Sequence, residues 1–157
     1  METIYQTIVK DCGCDVGAFD KKNFLITFGD KTLVTLKDFC YFIDVTPLKK
    51  KIWAGDILKI DDQEYEILRI GEIASDNLAA LGHITIFFTE EGECLPGSIR
   101  VKGKEFPKIE KESKIEILRK YTKRSRKLWL FLLLFAYGVS ILMECILAKS
   151  QNSSLGS

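Results

Sequence analysis

The chain has 157 residues, a formal net charge of +1 and a 46% hydrophobic fraction, the size of one ordinary domain with a modest core. The charge is split: residues 1–119 carry more Asp and Glu than Lys and Arg, while residues 120–127 are strongly basic. A mildly acidic globular part with no basic stripe excludes a general nucleic-acid role.

In chain order, the first 119 residues read as strands. "TIYQTIVK" alternates with period two. "NFLITFG" is a short apolar run that ends at a Gly29-Asp30 turn signal. "LVTLKDF" predicts a turn or two of helix. "DILKIDDQEYEILRI" predicts a hairpin turning at Asp61-Asp62-Gln63, with β-branched residues on both arms. "SDNLAALG" predicts a second short helix, capped by Ser75 or Asp76 and stopped by Gly82. "HITIFF", "SIRVKG" after the Pro96-Gly97 break, and "SKIEILRK" complete the strands. This spacing predicts an all-β domain, either a small barrel or a sandwich.

Residues 120–127, "KYTKRSRK", form a basic linker. Between Leu128 and Ala148 only Glu144 is charged. Such a run, at about 1.5 Å per helical residue, spans roughly 30 Å, the thickness of a bilayer's hydrocarbon core. The alternative, a buried core helix, would carry a polar face, and this run has none. The sequence therefore predicts one C-terminal transmembrane helix over 128–148. No N-terminal signal peptide is visible. Lys120, Lys123, Arg124, Arg126 and Lys127 precede the span and only Lys149 follows it. The positive-inside rule places the N-terminal domain in the cytoplasm of a single-pass cell-membrane protein, with the tail 149–157 outside. Trp129 stands where an interfacial aromatic anchor belongs. Glu144, a carboxylate inside the span, either reaches the nearby interface or makes a polar contact with a partner's membrane helix.

The cysteines form no framework. Cys12 and Cys14 are too close for an ordinary zinc pair and lack a second pair, so neither a metal site nor a cofactor is expected. His83 is the sole histidine.

Residues 1–119 resemble the glucitol/sorbitol-specific IIA component of the bacterial phosphoenolpyruvate-dependent sugar phosphotransferase system (PTS). "IYQTIV", "FLITFGD", "DFCYF", "AGDILKIDDQEYEILRIGEIASDNLAALGHITIFF" and "LPGSIRVKG" carry the resemblance, in the family's order and spacing. It implies a phosphocarrier that takes a phosphoryl group from the phosphocarrier HPr onto a histidine and passes it to a hexitol IIB domain. A neutral imidazole nitrogen supplies the nucleophile for such a step.

The chain departs from the family where that histidine belongs. Typical members carry His-x-His-Gly-Glu-Leu-Lys after the cysteine, and this chain has "CYFIDVTPLKK". Ile43 and Val45 stand in the two histidine positions, with Asp44 between them, and only Leu48 and Lys49 still match. Neither Ile nor Val accepts a phosphoryl group. Asp44 would need a metal-assisted site, and Cys40 also occurs in members that keep the histidines.

His83 corresponds to a histidine that typical members carry beside the missing pair. It is either an acceptor acting alone or a structural residue tying the "LGH" turn to a backbone carbonyl. Lys49, Lys50 and Lys51 are either a solvated loop or a docking patch for an acidic partner or the membrane surface. Three functions follow: a membrane-tethered, non-catalytic IIA-like binding or regulatory protein; an active phosphocarrier using His83; or a small accessory subunit of a membrane complex. The expected partners are the membrane together with PTS proteins (HPr, hexitol IIB/IIC) or another membrane protein.

Overall fold

The computed structural model describes residues 1–29, 35–103 and 105–120. Among these, the strands are β1 (Glu2–Cys12), β2 (Phe24–Phe28), β3 (Tyr41–Ile43), β4 (Ile57–Ile60), β5 (Gln63–Ile70), β6 (Ile84–Phe87), β7 (Ser98–Val101) and β8 (Lys114–Arg119). They close into a barrel in the order β1-β3-β2-β6-β7-β5-β4-β8. Of the two expected architectures, the barrel is the one observed, and closure removes the free sheet edges a sandwich would keep. Residues Met1–Lys120 make up one compact unit. No helix among the described residues is long and apolar enough to cross a membrane. The expected linker beyond Lys120, the span 128–148, Glu144 and the tail 149–157 lie outside the described residues.

Alternation builds most of the barrel. Along β1, Thr7 and Val9 point inward and Gln6 outward. The register with β8 shifts between Thr3 and Tyr5, so both Ile4 and Tyr5 are buried, as a bulge allows. The β4–β5 hairpin pairs Ile60 with Gln63 around a two-residue Asp61-Asp62 turn. Asp61 takes φ +48°, a conformation Asp tolerates better than most side chains. Its carboxylate accepts the Lys114 N–H at 2.7 Å and so ties the turn to β8. Ile4, Val9, Leu58, Ile67, Ile99 and Val101 are fully buried at the centre of the core.

Two features were not visible in the pattern. β2–β3 and β6–β7 pair in parallel, although no sequence run marked β3 as a strand. β7 is buried at all four positions, Arg100 included. The Arg100 guanidinium donates from Nε to the Glu93 carbonyl at 2.8 Å and from Nη1 to Thr89 Oγ1 at 2.7 Å, and lies 4.5 Å over the Phe87 ring. A buried cation needs this degree of satisfaction.

The expected helix in "LVTLKDF" is, over its described part, a single 3-10 turn at Lys37–Phe39, and a further 3-10 segment runs over Val16–Lys22. The helix in "SDNLAALG" forms as α1 (Ala74–Leu81). Its C-terminus is as expected: Gly82 adopts the left-handed conformation at φ +63°. Its start is not. Ile73 is the N-cap, with no side-chain cap, and Ser75 lies inside the first turn. The Ser75 hydroxyl instead accepts the Ile52 N–H at 3.1 Å, pinning the segment before β4 to the helix.

Candidate functional site

The end of β3 and the turn between α1 and β6 meet over β2. Ile43 closes β3 opposite Val9 and is 2% exposed, with its side chain in the core. Val45, two residues on, is 49% exposed. From Asp44 to Lys49 the chain leaves β3 and runs along β1. Asp44 N–H reaches the Ile8 carbonyl at 3.4 Å, Thr46 Oγ1 donates to the Gln6 carbonyl at 2.7 Å, and Lys49 N–H donates to the Ile4 carbonyl at 2.9 Å. The Asp44 carbonyl accepts from Thr7 Oγ1 at 2.7 Å. Its carboxylate faces solvent and pairs with Lys10 at 3.2 Å, a half-exposed contact worth little in water.

Two glycines allow the approach. A Cβ on Gly29 would lie 2.2 Å from Val45 Cγ2 and 2.9 Å from the Leu81 carbonyl oxygen. A Cβ on Gly82 would lie 3.0 Å from the Gly29 nitrogen and 3.3 Å from Ile43 Cγ1. The Gly29 N–H donates to that Leu81 carbonyl at 2.8 Å. Ile43, Val45, Gly29, Leu81 and Gly82 therefore form one contiguous cluster, of which Val45 and Leu81 are exposed at the surface. The sequence marks Gly29 only as a turn signal; its observed role is close backbone approach.

His83 borders this surface. Its Nδ1 lies 3.2 Å from the Thr27 carbonyl oxygen. A carbonyl only accepts, so Nδ1 carries the proton and, in the neutral ring, Nε2 holds the free lone pair. The ring packs on Phe28, with centroids 5.1 Å apart at 41°. Thr27 answers from its own side chain, donating from Oγ1 to the Gly82 carbonyl at 2.8 Å. The His83 N–H reaches Asn77 O at 3.3 Å, completing the helix terminus. These two contacts of Thr27 go to the Gly82-His83 step, and nothing in a lone threonine within "FLITF" announces them.

The other expected residues sort apart. Lys49, Lys50 and Lys51 are not at this surface. Lys49 Nζ reaches the Thr3 carbonyl at 3.3 Å, Lys50 pairs with Glu2 at 2.8 Å and Lys51 with Asp76 at 3.6 Å. The Lys50 hydrogen bond lowers the Glu2 pKa. Cys40, directly before β3, is 1% exposed, and burial pushes its thiol pKa up. The thiol of Cys12 is also raised, chiefly by burial, and that of Cys14 chiefly by its hydrogen bond with Asp38. All three thiols are thereby kept from the thiolate form that does nucleophilic chemistry.

Comparison with known proteins agrees with this architecture. The family model described as "PTS system glucitol/sorbitol-specific IIA component" matches residues 4–116. The PTS system glucitol/sorbitol-specific EIIA components of Shigella flexneri and Escherichia coli (strain K12) are each 30% identical over 104 residues, covering 66% of this chain and 85% of theirs. The crystal structure of a PTS system IIA component from Enterococcus faecalis V583 superposes with a TM-score of 0.67 at 25% identity, covering 73% of this chain and 100% of that one. A family model that runs from within β1 to the middle of β8, and relatives spanned over most of their length, lead to one conclusion: the chain belongs to the glucitol/sorbitol-specific IIA component family of the PTS.

Proposed function

We propose that this family member is tethered to the membrane by residues 128–148 and acts by binding or regulation, with no phosphoryl group carried at positions 43 and 45. One observation carries the reading: the first histidine position of the family pattern holds Ile43, a core side chain 2% exposed. It offers no lone pair and faces no solvent. Val45, at the second position, adds exposed apolar surface beside Gly29 and Leu81, of the kind that meets another protein. Membership of a PTS family supports partners among PTS proteins, and the reading takes HPr or a hexitol IIB/IIC as those partners, with another membrane protein as the alternative. Tethering would raise the local concentration for any partner in the same bilayer.

His83 supports a second reading. With its proton held at Nδ1 by Thr27, Nε2 is the nucleophilic position. In that reading the Nε2 lone pair attacks the phosphorus of phospho-HPr, a P–N bond forms at Nε2 as the donor's P–N bond breaks, and the proton stays on Nδ1, donated to the Thr27 carbonyl. A neutral imidazole of this tautomer is chemically competent for the step.

One assay separates the two. The full chain in lipid vesicles is mixed with enzyme I, HPr and labelled phosphoenolpyruvate, beside its His83→Ala variant and a soluble family member carrying the histidine pair. The expected result is label on the control and none on this chain. Acid-labile, base-stable label that disappears in His83→Ala would replace the binding reading with a phosphocarrier. The tether is tested separately by an alkaline carbonate wash, which should leave the chain in the membrane pellet. Release into the supernatant would remove the tether and leave the binding question to the first assay.

A further inference from the structure

Trp53 is the exposed aromatic with least reason to be so. It is 64% exposed, yet its backbone is fixed: its N–H donates to Asp56 Oδ2 at 2.8 Å, and its carbonyl accepts the Asp56 N–H at 3.1 Å. The Asp56 carboxylate is 3% exposed and takes a two-pronged contact from Arg119, Nε to Oδ1 at 2.9 Å and Nη2 to Oδ2 at 2.8 Å. The same guanidinium donates to the Lys51 carbonyl at 2.7 Å and lies 4.6 Å over the Trp53 ring. Arg119 thus locks the "KKKIW" loop to the last residue of β8 and covers one face of the indole. A tight loop that holds a large apolar side chain out in water loses hydrophobic stabilisation there unless something else covers it.

The surroundings say what that is. Lys49, Lys50, Lys51, Arg119 and Lys120 surround or adjoin this loop, against Glu2, Asp56 and Asp76, so the cations are in excess. Glu2 pairs in register with Arg119, which brings Met1, 65% exposed, to the same end of the barrel. The pairs Lys50–Glu2 and Lys51–Asp76 are exposed and cheap to exchange for a denser anionic surface. The chain leaves the described barrel at this same end. Seven residues of sequence lie between Lys120 and Leu128, a connection of at most about 28 Å of fully extended chain. Trp with neighbouring Lys and Arg is the composition that settles at the headgroup level of a bilayer, and cations there gain from anionic lipid.

We infer that the Lys49–Trp53 loop, clamped by Arg119, is a membrane-contact face: Trp53 inserts at the headgroup level while Lys49, Lys50 and Lys51 lie on anionic lipid. This fixes which end of the barrel faces the bilayer. The inference rests on the tether reading, and the test separates the two.

The full chain is reconstituted in vesicles containing brominated phosphatidylcholine, with and without phosphatidylglycerol. Trp53 and Trp129 are the two tryptophans of the sequence. A Trp129→Phe variant leaves Trp53 as the reporter, and a Trp53→Phe variant leaves Trp129. The expected result is quenching of Trp129 in both lipid mixtures, and quenching of Trp53 that is at least twofold stronger with phosphatidylglycerol. A combined Lys49→Gln, Lys50→Gln, Lys51→Gln variant should lose at least half of that Trp53 quenching, as should salt raised to about 0.5 M, where charge screening is short-ranged. Its circular dichroism should match the parent's. Trp129 quenched with Trp53 untouched would overturn the contact face and leave the tether standing. Neither quenched would overturn both. Trp53 quenched alone would keep the contact face and remove the tether.

Discussion

The two sides of the site are held by different forces. On the β3 side, Ile43 and Val45 contribute shape: one fills the core and the other lies over Gly29, and neither makes a polar contact through its side chain. On the α1–β6 side, hydrogen bonds fix the turn: Thr27 Oγ1 to Gly82, His83 Nδ1 to Thr27, and the His83 N–H to Asn77. The difference teaches that the Gly82-His83 turn takes its polar ties from β2 and α1 and needs none from the side chains at 43 and 45. The barrel closes with Ile43 in its core and Val45 at its surface.

The sharpest way to break this comparison is to remove shape from the β3 side. Ile43→Ala deletes a core side chain at the junction of β1, β3 and the Gly82 turn, and should lower stability by about 2–4 kcal/mol. Denaturant unfolding measures it. A loss below about 1 kcal/mol would mean that the position collapses around the gap and that Ile43 is not a packing residue.

Next in size is the contact between the sides. Gly29→Ala forces a methyl against Val45 Cγ2 and the Leu81 carbonyl and should cost about 1–3 kcal/mol. Val45→Ala alone, at a half-exposed site, should cost well under 1 kcal/mol, yet in the double variant it should recover part of the Gly29→Ala loss. Strict additivity would show that the Leu81 carbonyl, not Val45, sets the clash.

The sequence makes the strands with clean alternation legible, together with the Asp61-Asp62 hairpin and the Gly82 helix stop, because those signals are local. β3 was not legible. Its three residues are all buried, so no alternation shows, and its strand character comes from pairing with β1 and β2, far away in sequence. The N-terminus of α1 misled because Ser75, a good capping residue, is committed to Ile52 instead. For the site, His83 could be picked out as the sole histidine, but Thr27, 56 residues away, could not. The lysines were legible as a patch, whereas their distance from Ile43 and Val45 follows from partners on β1 and α1 that no local pattern encodes.

The smallest effect is the most discriminating. His83→Ala removes the Nδ1–H bond to Thr27 and the ring contact with Phe28, and should cost about 1 kcal/mol. His83→Asn keeps an N–H donor near the Nδ1 position and discards Nε2, so it should recover roughly half of that loss. The Asn variant therefore separates a clamp from a nucleophile. If His83 only ties the turn, Asn should approach the parent in stability and in any partner binding, while Ala falls short in both. If Nε2 carries chemistry, Asn should be as inactive as Ala however well it folds. Equal stability of Ala, Asn and parent would remove the clamp altogether, and Thr27 Oγ1 would be left as the polar side-chain contact holding Gly82 to β2.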